Sequence, residues 1–177
     1  MVPGKGDVAI CNACIDLASQ VLAREEVAPP PSPADTDVLA AIPHRPPFLF
    51  VDRILECTPQ KLRAERTVRD TEPQFRGHYP GKPLMPGVLL CEAVIQCGAI
   101  LVARLHSQAP EGVPVLTRIQ DARFKKMVVP GDTVTLEAEL VEQLQNAFFM
   151  KGRATVGGQK ALTIEFAVTL APQTAAD

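Results

Sequence analysis

The residues best suited to chemistry lie together. Phe75-Arg76-Gly77-His78-Tyr79-Pro80-Gly81-Lys82-Pro83-Leu84-Met85-Pro86-Gly87 packs three prolines and three glycines into thirteen residues around one histidine. Such density restricts the backbone while permitting unusual φ values, so the segment reads as a rigid loop. Pro86 is placed to start a helix, and Gly87 permits close approach of a ligand. The free N–H groups of the first turn suit a polarised carbonyl oxygen. Glu92 and Gln96 then fall on one helix face among Leu89, Leu90, Ala93, Val94 and Ile95. A carboxylate there is costly unless paired or protonated, and burial favours the protonated form that a general acid near neutrality needs. A histidine is the natural partner base. His78 and Glu92 beside a helix N-terminus suit proton abstraction α to a carbonyl, with protonation of a leaving hydroxyl. Two plainer readings stand beside this: His78 as a hydrogen-bonding loop residue, and Glu92 as the partner of a distant arginine or part of a more exposed face.

The elements that must position this pair follow from periodicity. Val88–Ala103 is a nearly uncharged apolar run, interrupted by Glu92, Gln96 and Gly98. It is shorter than the ~20 residues of a membrane span and reads as a core helix. Before the loop, Phe50–Cys57 and the alternating Leu62, Ala64, Arg66 and Val68 suggest a hairpin. Asp37 is placed to cap a short turn with Val38, Leu39 and Ile42 that ends at Pro43. After the helix, Val115–Phe124, Val134–Leu140, Ala147–Val156 and Ala161–Leu170 read as strands. Pro130-Gly131-Asp132 precedes the second of these, and Gly157-Gly158 joins the last two as a tight hairpin. The expected fold is α+β: a curved antiparallel sheet of about six strands wrapped around one long central helix. Because that helix is apolar on nearly every face, a second copy of the chain is expected to complete its cover.

Residues 36–177 form the expected main domain and 1–35 an N-terminal extension. In the extension, Ile10, Cys14, Leu17, Val21 and Leu22 recur at helical spacing within residues 8–26. Pro29-Pro30-Pro31-Ser32-Pro33 is a linker, four of its five residues lacking a backbone donor. The 177 residues are 46% hydrophobic and 21% charged, enough for one buried core, and the net charge of −2 gives no global attraction for nucleic acid or an anionic membrane. Five irregularly spaced cysteines and no apolar leader disfavour a secreted disulfide scaffold, so a cytoplasmic protein with reduced thiols is expected.

Several ordered motifs then carry a resemblance. Pro43-His44-Arg45-Pro46-Pro47-Phe48-Leu49-Phe50-Val51-Asp52-Arg53, the run from Glu72 to Val88, and Glu92-Ala93-Val94-Ile95-Gln96 closely resemble the bacterial 3-hydroxyacyl-ACP dehydratases of FabZ type. Ala122-Arg123-Phe124-Lys125 and Val128–Asp132 extend the match, which spans about residues 36–172. The resemblance implies a hot-dog fold, a homodimer that commonly builds a trimer of dimers, and reversible dehydration of 3-hydroxyacyl chains on acyl carrier protein to trans-2-enoyl products. It implies His78 and Glu92 as catalytic residues shared across the dimer interface, Gln96 supporting the glutamate, and the Gly87 N–H receiving the thioester oxygen. It implies no metal or redox cofactor, the acyl group arriving on the carrier's phosphopantetheine arm. An acyl tunnel beside the helix would draw on Leu89, Val94 and Phe124, residue types that are more often plain core.

This chain departs from the family pattern beside the loop, with Thr71 for Asn, Gln74 for an apolar residue and Tyr79 for Phe. Pro114 and Val115 stand where aromatic residues often gate the tunnel. Arg118, Arg123, Lys125 and Lys126 form a local basic cluster that could meet an acidic carrier protein, against the plainer reading of solvated strand positions. His44, among prolines, reads as structural, and His106 as a cation closing the helix. Cys91 and Cys97 read as packing residues. Val8–Glu26 resembles the second half of the small zinc-binding domain of ClpX-type unfoldases, but Cys11 and Cys14 lack the second pair that four-ligand zinc requires. The competing functions are another hot-dog thioester enzyme, hydratase or thioesterase, and a non-catalytic carrier-binding scaffold. Intact His78 and Glu92 argue against the scaffold.

Overall fold

The computed structural model describes residues 2–3, 9–10, 34–106 and 112–171, and the chain divides into two compact units, Met1–Pro30 and Pro31–Asp177. In the first unit, β1 (Val2–Pro3) pairs antiparallel with β2 (Ala9–Ile10). The helix expected over 8–26 therefore does not include Ala9 and Ile10. Its remainder, with Cys11, Cys14 and the 29–33 linker, lies outside the described residues.

The second unit opens with α1 (Thr36–Ala41). Its cap position is Asp35 rather than Asp37. Asp37 sits in the first turn, and its carboxylate accepts from Arg104 at 3.0 Å. Six strands follow: β3 (Arg53–Cys57), β4 (Lys61–Thr67), β5 (Val113–Phe124), β6 (Thr133–Leu144), β7 (Ala147–Val156) and β8 (Gln159–Ala171). They form one antiparallel sheet in the order β3-β4-β6-β7-β8-β5, and α2 (Gly87–Leu105) is inserted between β4 and β5. This is the α+β hot-dog arrangement.

Period-2 patterning explains the sheet's two faces. Leu62 and Ala64 of β4, Val134, Leu136 and Ala138 of β6, and Leu162, Ile164, Phe166 and Val168 of β8 are all buried. They meet α2, whose residues from Ala93 to Val102 are buried without interruption. Alone, α2 is long and apolar enough to cross a membrane; here its apolar surface is taken up by the sheet. Two glycines let helix and sheet approach this closely. A Cβ on Gly152 would stand 2.2 Å from Val94 Cγ1, and one on Gly98 2.7 Å from Phe166 Cζ. Gly157 and Gly158 carry φ of +58° and +77°, as a type I′ hairpin between β7 and β8 requires.

The first strand of the sheet begins later than periodicity suggests. Phe50 and Val51 are almost fully buried but precede β3, because the Phe50 N–H bonds to the Gln96 side chain. At the far side, β5 is an edge strand, where Pro114 costs no ladder bond. It exposes Val115, Ile119 and Phe124, 45–53% accessible.

Candidate acid–base site

The histidine loop is held from behind. Glu72 accepts from the Arg69 N–H at 2.8 Å and from the side chains of Arg66 and Gln74. This fixes the entry to a 3-10 turn, Pro73–Arg76, whose Phe75 is buried. Gln74 thus enters a polar network behind the loop, with Met85 Sδ 3.9 Å from its Nε2. The His78 N–H closes on Gln74 O at 2.9 Å, and Tyr79 turns the chain at φ +59° with its ring 4.4 Å from the imidazole. His78 Nδ1 lies 2.7 Å from Leu84 O. A carbonyl oxygen only accepts, so Nδ1 carries the proton and Nε2 presents its lone pair. Nε2 is thereby left free of the loop's own hydrogen bonding.

Glu92 stands on the second turn of α2 with its side chain 21% exposed. Gln96, one turn on and buried, donates from Nε2 to Glu92 Oε1 at 3.0 Å and to Phe48 O at 3.1 Å, while its Oε1 accepts from the Phe50 N–H at 2.8 Å. The amide therefore both fixes the carboxylate and ties residues 48–50 to the helix. That tie brings in a residue the sequence reading treated as structural: His44 Nε2 lies 3.6 Å from Glu92 Oε1. Among the described residues of one chain, no hydrogen bond or charge contact joins His78 to Glu92.

A cavity of about 330 Å³ opens at the N-terminus of α2, lined by Leu84, Met85, Gly87, Leu90, Phe124 and the segment Lys125–Val128. A Cβ on Gly87 would stand 2.9 Å from Phe124 Cε1, so this glycine sets how closely the ring approaches the helix. Leu89 N–H and Leu90 N–H both turn to Pro86 O, at 3.0 Å each. Gly87 and Phe124 both line this space. Leu89 packs at the edge of the core, and Val94 is fully buried against β7; neither lines the cavity. Leu90, one turn after Gly87 on the same helix face, lines it, as its i, i+3 spacing from Gly87 allows.

The four residues of the basic cluster differ in what they touch. Arg118 lies 5.3 Å over the Phe149 ring, Arg123 Nε donates to Asp121 at 2.8 Å, and Lys126 Nζ donates to Val156 O at 3.3 Å. Lys125 is exposed, and with Lys126 it borders the cavity. His106 ends α2 with its ring edge-on to Phe148 at 5.5 Å. Among the described residues, no group of three His, Cys, Asp or Glu side chains is placed to hold a metal.

A family model described as a FabA-like domain matches residues 42–165. The chain is 43% identical over 136 residues to a 3-hydroxyacyl-[acyl-carrier-protein] dehydratase FabZ of Myxococcus xanthus, covering 76% of this chain and 89% of that protein. It is 45% identical over 136 residues to the protein of the same name from Chloroflexus aggregans, covering 75% and 94%. Among solved structures, it resembles the dehydratase heterocomplex ApeI:P from Xenorhabdus doucetiae at TM-score 0.68 and 14% identity, covering 77% of this chain and 91% of that one. It also resembles a hypothetical thioesterase with coenzyme A from Streptococcus pneumoniae, at TM-score 0.55 and 15% identity, covering 79% and 95%. These two likenesses concern the fold.

Proposed function

Since the chain belongs to the FabA-like family and is a 3-hydroxyacyl-[acyl-carrier-protein] dehydratase of FabZ type, we propose that His78 is its base and Glu92 its acid. His78 Nε2 removes a proton from Cα of the 3-hydroxyacyl thioester. The Gly87 N–H, at the open end of α2, receives the thioester oxygen as negative charge develops on it. Glu92 delivers its proton to the β-hydroxyl, which leaves as water, and a trans-2-enoyl chain remains. His78 is then protonated and Glu92 ionised, and hydration of the enoyl product runs the same steps backwards. The single observation that carries this assignment is the 2.7 Å contact of His78 Nδ1 with Leu84 O, which leaves Nε2 as the basic nitrogen.

The base and the acid come from different protomers in this reading. The long edge of β5, with Val115, Ile119 and Phe124 exposed, supports a second copy lying against it. A homodimer would complete two sites, and three such dimers together six. The cavity at Gly87 receives the acyl chain, with Phe124 and Leu90 as its walls. Lys125 and Lys126 at its border favour the acidic surface of the carrier protein, and Arg118 and Arg123 continue this chain's basic surface along β5. Acid–base chemistry of this kind calls for no metal or redox cofactor, since the phosphopantetheine arm presents the substrate. The protein would work in the cytoplasm.

The test is mass spectrometry of 3-hydroxyacyl chains of several lengths on acyl carrier protein, following loss of one water. A shared site makes a second prediction: mixing His78→Ala and Glu92→Gln proteins under conditions of subunit exchange restores part of the turnover each lacks alone. No recovery on mixing, with exchange demonstrated, would place both residues' sites within one protomer.

A further inference from the structure

A histidine that serves only to shape a proline-rich loop uses its ring nitrogens to hold the loop together. His44 uses neither in that way. Its Nδ1 is buried with no hydrogen-bond partner, and its Nε2 points to Glu92 Oε1 at 3.6 Å. The loop is held instead by its neighbour. Arg45 donates to the carbonyls of Leu39, Ile42 and His44 at 2.7–3.0 Å, and the Phe48 N–H returns to Arg45 O at 2.9 Å. The imidazole itself packs near-parallel to the Phe48 ring, at 24° and 6.5 Å. Phe48 is in turn gripped through its carbonyl by Gln96, the residue that bonds Glu92. His44, Phe48, Gln96 and Glu92 therefore close a ring of contacts.

Both polar neighbours of the Glu92 carboxylate address the same oxygen. Gln96 Nε2 and His44 Nε2 lie 3.0 and 3.6 Å from Oε1, and among the described residues no hydrogen bond reaches Oε2. The His44 distance is too long for a hydrogen bond and short enough for a direct electrostatic contact. We propose that His44 is a positioning residue for Glu92: from the same protomer, it and Gln96 hold Oε1 and so leave Oε2 as the oxygen that carries the proton to the substrate. The proposal rests on the acid–base reading above and adds to it the reacting atom and a third residue. His44 touches no substrate. It acts by fixing which way the carboxyl faces, so its loss lowers the fraction of bound substrate that meets a correctly turned acid.

Steady-state kinetics on a 3-hydroxyacyl-ACP test this with wild type, His44→Ala, His44→Gln, Glu92→Gln and the His44→Ala/Glu92→Gln double variant. In His44→Ala, kcat falls about 10-fold or more while KM changes by less than about twofold. In His44→Gln, whose amide N–H can reach Oε1, most of kcat returns. In the Glu92→Gln background, His44→Ala costs less than about twofold further, because a residue acting only through Glu92 has nothing left to position. Full additivity, an effect confined to KM, or no loss in His44→Ala would each overturn the proposal. Thermal melting is followed in parallel; if His44→Ala is destabilised, the glutamine rescue and the cycle still decide. Wild type without turnover would instead sink the dehydratase reading, a result distinct from an active wild type with an additive cycle.

Discussion

Gln96 Nε2 donates to Glu92 Oε1 at 3.0 Å along α2, while the same amide spans 46 residues to accept from the Phe50 N–H. One buried side chain thereby holds both the Glu92 carboxylate, the proposed acid, and the segment that brings His44 beside it. Position 96 is a structural joint as well as part of the site.

Gln96→Leu keeps the approximate volume but leaves a main-chain N–H, a main-chain carbonyl and the Glu92 carboxylate without their partner. We expect about 2–3 kcal/mol lower stability from the stranded buried groups, measured by denaturant unfolding, together with a fall in kcat. A variant as stable and active as wild type would show that water or the backbone replaces the amide.

Gly87→Ala places a Cβ 2.9 Å from Phe124 Cε1. Phe124 is about half-exposed, so its ring can swing aside at little cost to the fold. The cavity mouth changes shape instead. Activity should fall most for the longer acyl chains, with melting within a few degrees of wild type, and Phe124→Ala should restore part of the loss. Gly152→Ala meets Val94 at 2.2 Å in a closed core. It should cost about 1–3 kcal/mol, the usual range for overpacking.

Glu137 on β6 ties three strands, with Lys61 Nζ at 2.9 Å, Arg153 Nη2 at 2.6 Å and Arg63 Nε at 3.5 Å. Burial pushes its carboxyl up, but the hydrogen bonds and charges of Lys61 and Arg153 outweigh that and hold it below its ordinary value. A carboxyl with a depressed value in the folded state stabilises the protein above its unfolded value, and loses that contribution as pH falls through the folded one. Glu137→Gln should therefore be less stable than wild type by about 1 kcal/mol at neutral pH, an amount kept small by partly exposed partners. The two stability curves should converge in acid, below the ordinary carboxylate range. A gap that stays constant down to low pH would mean the side chain contributes by packing alone.

Burial pushes the Cys97 thiol strongly up, and Cys91 in the same direction, whereas Cys57 is exposed on β3. Since the thiolate is the reactive species, iodoacetamide at neutral pH should modify Cys57 first among these three and reach Cys97 only on unfolding. Peptide mapping of a time course checks the order. Early labelling of Cys97 would contradict its place beneath β4, where its Sγ lies 3.6 Å from Leu62 O.

The sheet and α2 were legible because their patterns are local. Alternation along Leu162, Ile164, Phe166 and Val168 needs only neighbours to be read, and so does the apolar run of the helix. The placement of His78 on the loop and of Glu92 and Gln96 as neighbours on the helix was legible for the same reason, as a dense Gly/Pro loop leading straight into a helix with paired polar residues. The place of His44 was not. It depends on Gln96 pulling the main chain at Phe48 and Phe50 back onto α2, a contact across almost 50 residues that no periodicity records. The late start of β3 has the same cause. Val94 and Leu89 stand away from the cavity at Gly87 because helical spacing fixes a face but not which neighbour fills it; Gly152 on β7 decides that for Val94.

The most direct test compares wild type, His78→Ala and Glu92→Gln in turnover of 3-hydroxyacyl-ACP to enoyl-ACP by mass spectrometry, each variant first shown to melt like wild type. The account predicts wild-type dehydration and a loss of about 100-fold or more in each variant, the scale of a missing general acid or base. Near wild-type turnover in either variant would contradict the acid–base pair. A wild type that binds the carrier yet dehydrates neither short nor long chains would contradict the enzyme itself.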